Sequence, residues 1–139
     1  MPPNLDDDDP DASLLVRTDF TNDGAWGALI AEACATYGPN QFSAGFVPVS
    51  DKSFAGRNPA ELAGAPGSAL VVFAADAASM FASEKTLIVV DRNEEPGRFF
   101  RVVLSEAWGP ENNLRLANMD FFEFANAADA DGVFRGFAD

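Results

Sequence analysis

Four apolar runs in this chain each lead into an aspartate: Asp19 after LLVRT, Asp51 after VPVS, Asp76 after VVFAA and Asp91 after LIVV. If the runs are parallel strands, their carboxyl ends share one sheet edge, and ligands of open α/β sheets bind in the crevice outside that edge. Carboxylates gathered there, Asp19, Asp51, Asp76 and Asp91, would hold a hard cation, Mg²⁺ being the natural one, through oxygen ligands. Alternatively, mutual repulsion would split the pKa values of Asp19, Asp76 and Asp91 into an acid and a base. A simpler reading takes precedence: aspartate is a favoured N-cap and turn residue, so a strand-to-helix connection calls for it without any chemistry. No metal or other cofactor is therefore expected beyond that Mg²⁺ alternative. Phosphoryl transfer would want a basic residue at a strand end, and Lys52 and Lys85 lie nearest without ending a strand.

Other polar residues could recognise a ligand. Arg17 and Arg101 interrupt apolar strands, so each either faces solvent or pairs with a carboxylate such as Asp19 or Glu106. Asn112, Asn113, Arg115 and Asn118, with Glu111 and Asp120, supply donors and acceptors for a polar ligand or for the backbone of an irregular loop. Asp129-Ala130-Asp131-Gly132 has the start of a calcium loop but lacks its further oxygen ligands and terminal Glu, which leaves helix C-capping. The glycines near Gly64 and Gly67 form neither GxGxxG nor a P-loop.

Composition removes whole classes of function. The 139 residues contain no His, which takes away the usual base near neutral pH, the His-dependent nucleophile arrangements and most transition-metal sites. Nine Lys and Arg against 22 Asp and Glu give a net charge of −13, which opposes attraction to nucleic acid or anionic lipid. A hydrophobic content of 47% with thirteen Phe excludes a disordered body. One cysteine, Cys34, allows no internal disulfide, and its spacing places it on an apolar helix face, consistent with a reducing cytoplasm.

The elements that must position these residues follow from periodicity. Ser13 to Asp19 reads as a strand. Trp26, Leu29, Ile30, Ala33, Cys34 and Tyr37 share one helix face, capped by Thr21 or Asn22 and stopped by Gly38-Pro39. Phe42 to Val49 reads as an edge strand weakened by Gly45 and Pro48. Asn58-Pro59-Ala60-Glu61 is a capping box for a short helix ending near Gly64. The runs 69–75 and 86–90 suit strands buried on both faces, with a turn or two of helix between them. After the polar loop Arg92 to Gly97, the alternation through Phe100, Val102 and Leu104 completes a hairpin. Trp108 to Asn118 is ambiguous, and Asp120 with Glu123 opens a last helix along Phe121, Phe124, Ala125 and Ala128, ended by Gly132. The expectation is a single α/β domain over 13–139, a mixed sheet of about five strands in the order βαβαβ, then a hairpin and a terminal helix. Residues 1–12, with five Asp and only Leu5 to bury, are expected to form a solvated acidic tail. No signal sequence or membrane span is read, so a cytoplasmic, soluble chain is expected.

LLVRTDF (14–20), LIVVD with PGRFFRVV after it (87–103), and above all ENNLRLANMDFFEFANAAD (111–129) followed by GVFRGF resemble a family of small domains of unknown function found in actinobacteria and fungi. The resemblance covers most of residues 13–137 and leaves the Asp-rich leader outside. It implies one compact domain and brings no catalytic residue with it.

Two functional readings follow. The first is a non-enzymatic interaction domain, of the small acidic immunity or inhibitor type, that meets a basic protein partner. The second is a His-free enzyme using Asp19, Asp76 and Asp91, either Mg²⁺-assisted or as a cofactor-free isomerase or cyclase.

Overall fold

The computed structural model describes residues 3–137 of the chain. In order, the elements are β1 (Ser13–Arg17), α1 (Asp23–Ala33), β2 (Phe46–Val49), α2 (Pro59–Gly64), β3 (Val71–Ala75), α3 (Ala77–Phe81), β4 (Thr86–Asp91), β5 (Phe99–Val103), α4 (Trp108–Arg115), α5 (Phe121–Ala125) and β6 (Val133–Phe134). The fold is mixed α/β, with one six-stranded sheet in the order β2-β1-β3-β4-β5-β6. β1 pairs in parallel with β2 and β3, β4 runs antiparallel to β3 and β5, and β6 lies parallel to β5.

Side-chain alternation along the central strands builds two cores, one on each face. Leu15, Phe73, Leu87 and Val89 pack with Trp26 and Leu29 of α1. Leu14, Val16, Val72 and Ile88 pack with Leu62 of α2 and with Phe54. Burial on both faces is why the runs ending in Ala75 and Val90 read as continuously apolar. The chain leaves β1 through α1 to reach β2 on one side, then returns through α2 to β3 on the other side of β1. β1 and β3 therefore flank the point where strand order reverses.

Several local expectations change. α1 is capped by the Asn22 side chain but ends at Ala33, with Cys34 a half-buried cap residue and not a core one. Tyr37 instead exchanges main-chain hydrogen bonds with Phe42, which holds Phe42 outside β2. β2 is an edge strand with Pro48 exposed, the position where a missing N–H costs no ladder bond. The ambiguous stretch opens as helix α4, with Pro110 in its first turn where no intrahelical donor is needed. α5 stops at Ala125, and the residues after Gly132 form the sixth strand against β5.

Over residues 3–12 the acidic leader is not the free tail expected for 1–12, residues 1 and 2 lying outside the described ones. Leu5 is fully buried in the core on the α2 side. Its N–H donates to Pro66 O at 2.8 Å and its carbonyl accepts from Ala69 N–H at 2.9 Å. The Arg92 guanidinium donates to the carbonyls of Leu5, Ala69 and Ala65. Gly67 permits this approach: at φ +139° it has no side chain, and a Cβ would lie 2.2 Å from Leu5 O. One buried leucine and a set of main-chain bonds thus dock the segment as a strap with its carboxylates outward. Among the described residues no helix is long and apolar enough to cross a membrane.

Candidate functional site

Topology decides which strand-end carboxylates meet. Asp19 and Asp76 follow the parallel strands β1 and β3 and stand at the same end, on either side of the strand-order reversal. Asp51 follows β2, but its carboxylate accepts from Ser53 N–H at 2.9 Å and Ser53 Oγ at 2.5 Å, capping a 3-10 turn over Lys52–Phe54. Asp91 ends β4, which runs the other way, so it lies at the opposite end of the sheet. There it is buried and accepts from the N–H groups of Asn93 and Glu95 at 2.8 and 2.9 Å, shaping the hairpin turn. The expected convergence of four carboxylates reduces to two: β4 is antiparallel and carries Asp91 to the far end, and Asp51, at the near end after the parallel β2, is taken up by Ser53. Among the described residues no three His, Cys, Asp or Glu side chains are placed to hold a metal ion.

Asp19 and Asp76 line a crevice of about 350 Å³ with Arg57, Ile88, Phe99 and Arg101. Arg101 reaches from β5 to both oxygens of Asp76, at 3.2 and 2.5 Å, and to Thr86 Oγ1 at 3.1 Å. Asp76 also caps α3 through Ser79. Burial pushes the Asp76 carboxyl up, but the Arg101 hydrogen bond and charge, with Ser79, outweigh it and hold the group below the usual carboxylate range. Asp19 is also held low, chiefly by the Thr21 hydroxyl, which donates to its Oδ1 at 2.5 Å. Both stay ionised at neutral pH. Neither is a proton donor there, and neither has the raised basicity a general base needs. Arg57 is held more loosely than Arg101, through Ser53 O at 3.2 Å and Glu61 at 3.5 Å.

The other polar residues singled out by type turn inward. Arg17 is buried, donates to Asp19 O and to the Asp23 carboxylate, both at 2.8 Å, and stacks over Phe20. Its partner is thus Asp23 with the Asp19 main chain, while Arg101 takes Asp76 and not Glu106. Asn112 and Asn113 donate back to the carbonyls of Trp108 and Gly109 within α4, and Asn112 also to Ser43 O. Arg115 donates to Glu111 at 2.8 Å and to Pro10 O at 3.1 Å, tying the strap to α4. Asn118 is exposed on the turn after α4. Asp129 and Asp131 do not end a helix. They clasp Arg135, each at 2.7 Å, and Glu84 closes on the same guanidinium.

Two features lie outside the sequence expectations, the burial of Glu111 and a second groove. Glu111 is fully buried and accepts from Ser13 Oγ and Gly45 N–H, both at 2.7 Å, besides Arg115. The i,i+4 spacing of Glu111 and Arg115 was the available signal. The second is a groove at the sheet end opposite Asp19 and Asp76, formed by two adjoining cavities of about 200 and 150 Å³ that share Leu70, Val71, Leu114 and Ala117. Leu70 and Leu116, nearby, are 59% and 57% exposed. Asp7 of the strap lies at one cavity, and Glu94 and Asp120 at the other.

A family model described as Domain of unknown function (DUF6924) matches residues 12–137. No curated protein and no solved structure matches the chain.

Proposed function

The chain belongs to that domain family, and from its geometry we propose that it is a binding domain that meets a basic protein partner, as small acidic immunity proteins and inhibitors do. The observation that carries this reading is the set of carboxylates, Asp7, Glu94 and Asp120, unpaired among the described residues around the leucine-lined groove. Seven of the nine basic side chains form ion pairs within the chain, and Arg92 is ringed by main-chain carbonyls. The carboxylates of the strap and groove rim, by contrast, form no ion pair among the described residues. A cationic partner supplies the missing charge, speeding encounter, and its apolar side chains fill the groove beside Leu70 and Leu114. Docking of the strap favours this, because a main chain already held in place loses little freedom on binding.

The carboxylate-only enzyme is less well supported, since Asp19 and Asp76 are both hydrogen-bonded in the ionised form and Asp91 stands at the far end. The test is a nuclear magnetic resonance titration of the full chain, at low salt, with a short peptide of alternating Lys and Leu and with its Glu-Leu counterpart. The Lys-Leu peptide is expected to shift Leu70, Leu114 to Met119 and the strap, and to bind about tenfold more weakly to Leu70→Ser or at raised salt. Equal binding of the acidic peptide, or shifts spread over the whole surface, would overturn the reading.

A further inference from the structure

We propose that the crevice between β1 and β3 is a separate binding site for a zwitterionic ligand of the α-amino-acid type with an apolar side chain. It shares no lining residue with the groove and does not rest on the basic-partner reading. Of the four charged side chains lining it, Asp76 and Arg101 are closed on each other. Asp19 and Arg57 are not. Both hydrogen bonds to the Asp19 carboxylate fall on Oδ1, from Thr21 N–H and Oγ1, and Oδ2 has no partner among the described residues. Arg57 is 42% exposed, with its nearest carboxylate oxygen at 3.5 Å. The crevice thus offers, among the described residues, one anion with a free oxygen and one cation whose single ion pair, to Glu61 at 3.5 Å, is long and half-exposed. A ligand carrying a single charge satisfies only one of them, whereas an ammonium and a carboxylate on one molecule satisfy both.

The rest of the lining fits the body of such a ligand. Ile88 and Phe99 supply an apolar wall, and the Phe99 ring is 51% exposed although it stands on a strand. An aromatic or branched side chain laid against it gains burial and ring contact. The volume of about 350 Å³ is at the small end of the range for ligand pockets, roughly 300 to 1,000 Å³, which suits a single amino acid and not a dinucleotide. Position agrees, because the strand-order reversal is where open α/β sheets leave a crevice between helices on opposite faces.

Calorimetric titration of the full chain tests this with L-phenylalanine, phenylacetate and phenethylammonium. Phenylalanine is expected to bind saturably, and each singly charged analogue at least tenfold more weakly. Asp19→Asn and Arg57→Gln, both at exposed or half-exposed positions, are each expected to weaken phenylalanine at least tenfold. Asp19→Asn should also abolish the preference for phenylalanine over phenylacetate, which a general loss of fold would not do selectively. Absence of phenylalanine binding at millimolar concentration, equal binding of the three probes, or unchanged affinity in both variants would each overturn the assignment.

Discussion

Arg101 and Asp76 stand 25 residues apart in sequence, and their two-point contact at 3.2 and 2.5 Å joins β5 to the end of β3 across the intervening β4. Thr86 of β4 takes the same guanidinium at 3.1 Å, so one side chain clasps three strands.

Replacing Asp76 by Ala removes the α3 cap and leaves a partly buried guanidinium without its anion. A cap contributes about 1 kcal/mol and a charge-assisted hydrogen bond about 1.5–3 kcal/mol. Because the two side chains are 26% and 31% exposed, solvent screening lowers the second figure. Denaturant unfolding of Asp76→Ala should show a loss of about 2 kcal/mol, and Asp76→Asn a smaller one. A variant as stable as the wild type would show that the clasp contributes nothing to the fold.

Glu111 is the larger liability. Fully buried, it accepts from Ser13, Gly45 and Arg115, joining α4 to β1 and to the residue before β2. Breaking a buried pair from one side typically costs about 3–5 kcal/mol, because the remaining charge and donors are left without partners. Glu111→Ala is expected to fall in that range, with a correspondingly lower Tm by calorimetry. Glu111→Gln keeps the shape and one acceptor and should lose less.

The parts of this fold readable from sequence were those fixed by local periodicity and capping. Asn58 and Glu61 form the capping box their spacing implies, and the Glu123 side chain accepts from Asp120 N–H as its position three residues on implies. Trp26, Leu29 and Ala33 line α1 as their period requires. Strand direction was not readable, because a short polar turn and a crossover can both follow an apolar run that ends in Asp. That one ambiguity separates Asp91 from Asp19 and Asp76. Leu5 was hidden for a different reason: a single apolar residue among acids has no periodicity, and its docking depends on Arg92 and Gly67, more than sixty residues away.

The strap gives a local test of that docking. Gly67→Ala would put a Cβ 2.2 Å from the Leu5 carbonyl at a φ of +139°, and backbone has to move. The strap is expected to lift while the sheet persists. Burial of one leucine is worth about 1.5–3 kcal/mol, and a loss of that size should accompany faster hydrogen exchange at the Leu5 and Ala69 amides, with the β4 amides still protected. Exchange rising equally in β4 would show the strap to be integral to the global unit.

Stability as a function of pH should rise and then fall on acidification, for reasons visible in individual groups. Burial raises the Glu106 carboxyl, and burial with neighbouring acids raises Asp7 despite Arg115. A carboxyl raised in the folded state destabilises it when ionised. That penalty is present at neutral pH and is relieved as pH falls through the raised folded value toward the ordinary 4.5 of Glu or 3.8 of Asp. The net charge of −13 adds self-repulsion that fades over the same interval. Asp76 acts in the opposite sense. Its folded value is depressed, so its contribution is complete above the ordinary 3.8 and is lost as pH falls below that through the folded value. The maximum is therefore expected on the acid side of neutrality, just above the ordinary carboxylate range. Glu106→Gln should raise stability at pH 7 and flatten the rise between neutral pH and that maximum. Asp76→Asn should leave the rise in place and soften the fall below it. Urea midpoints for the three proteins across pH 3 to 8 separate the two limbs, and a wild-type curve that declines steadily from pH 7 downward would contradict the assignment of Glu106 and Asp7.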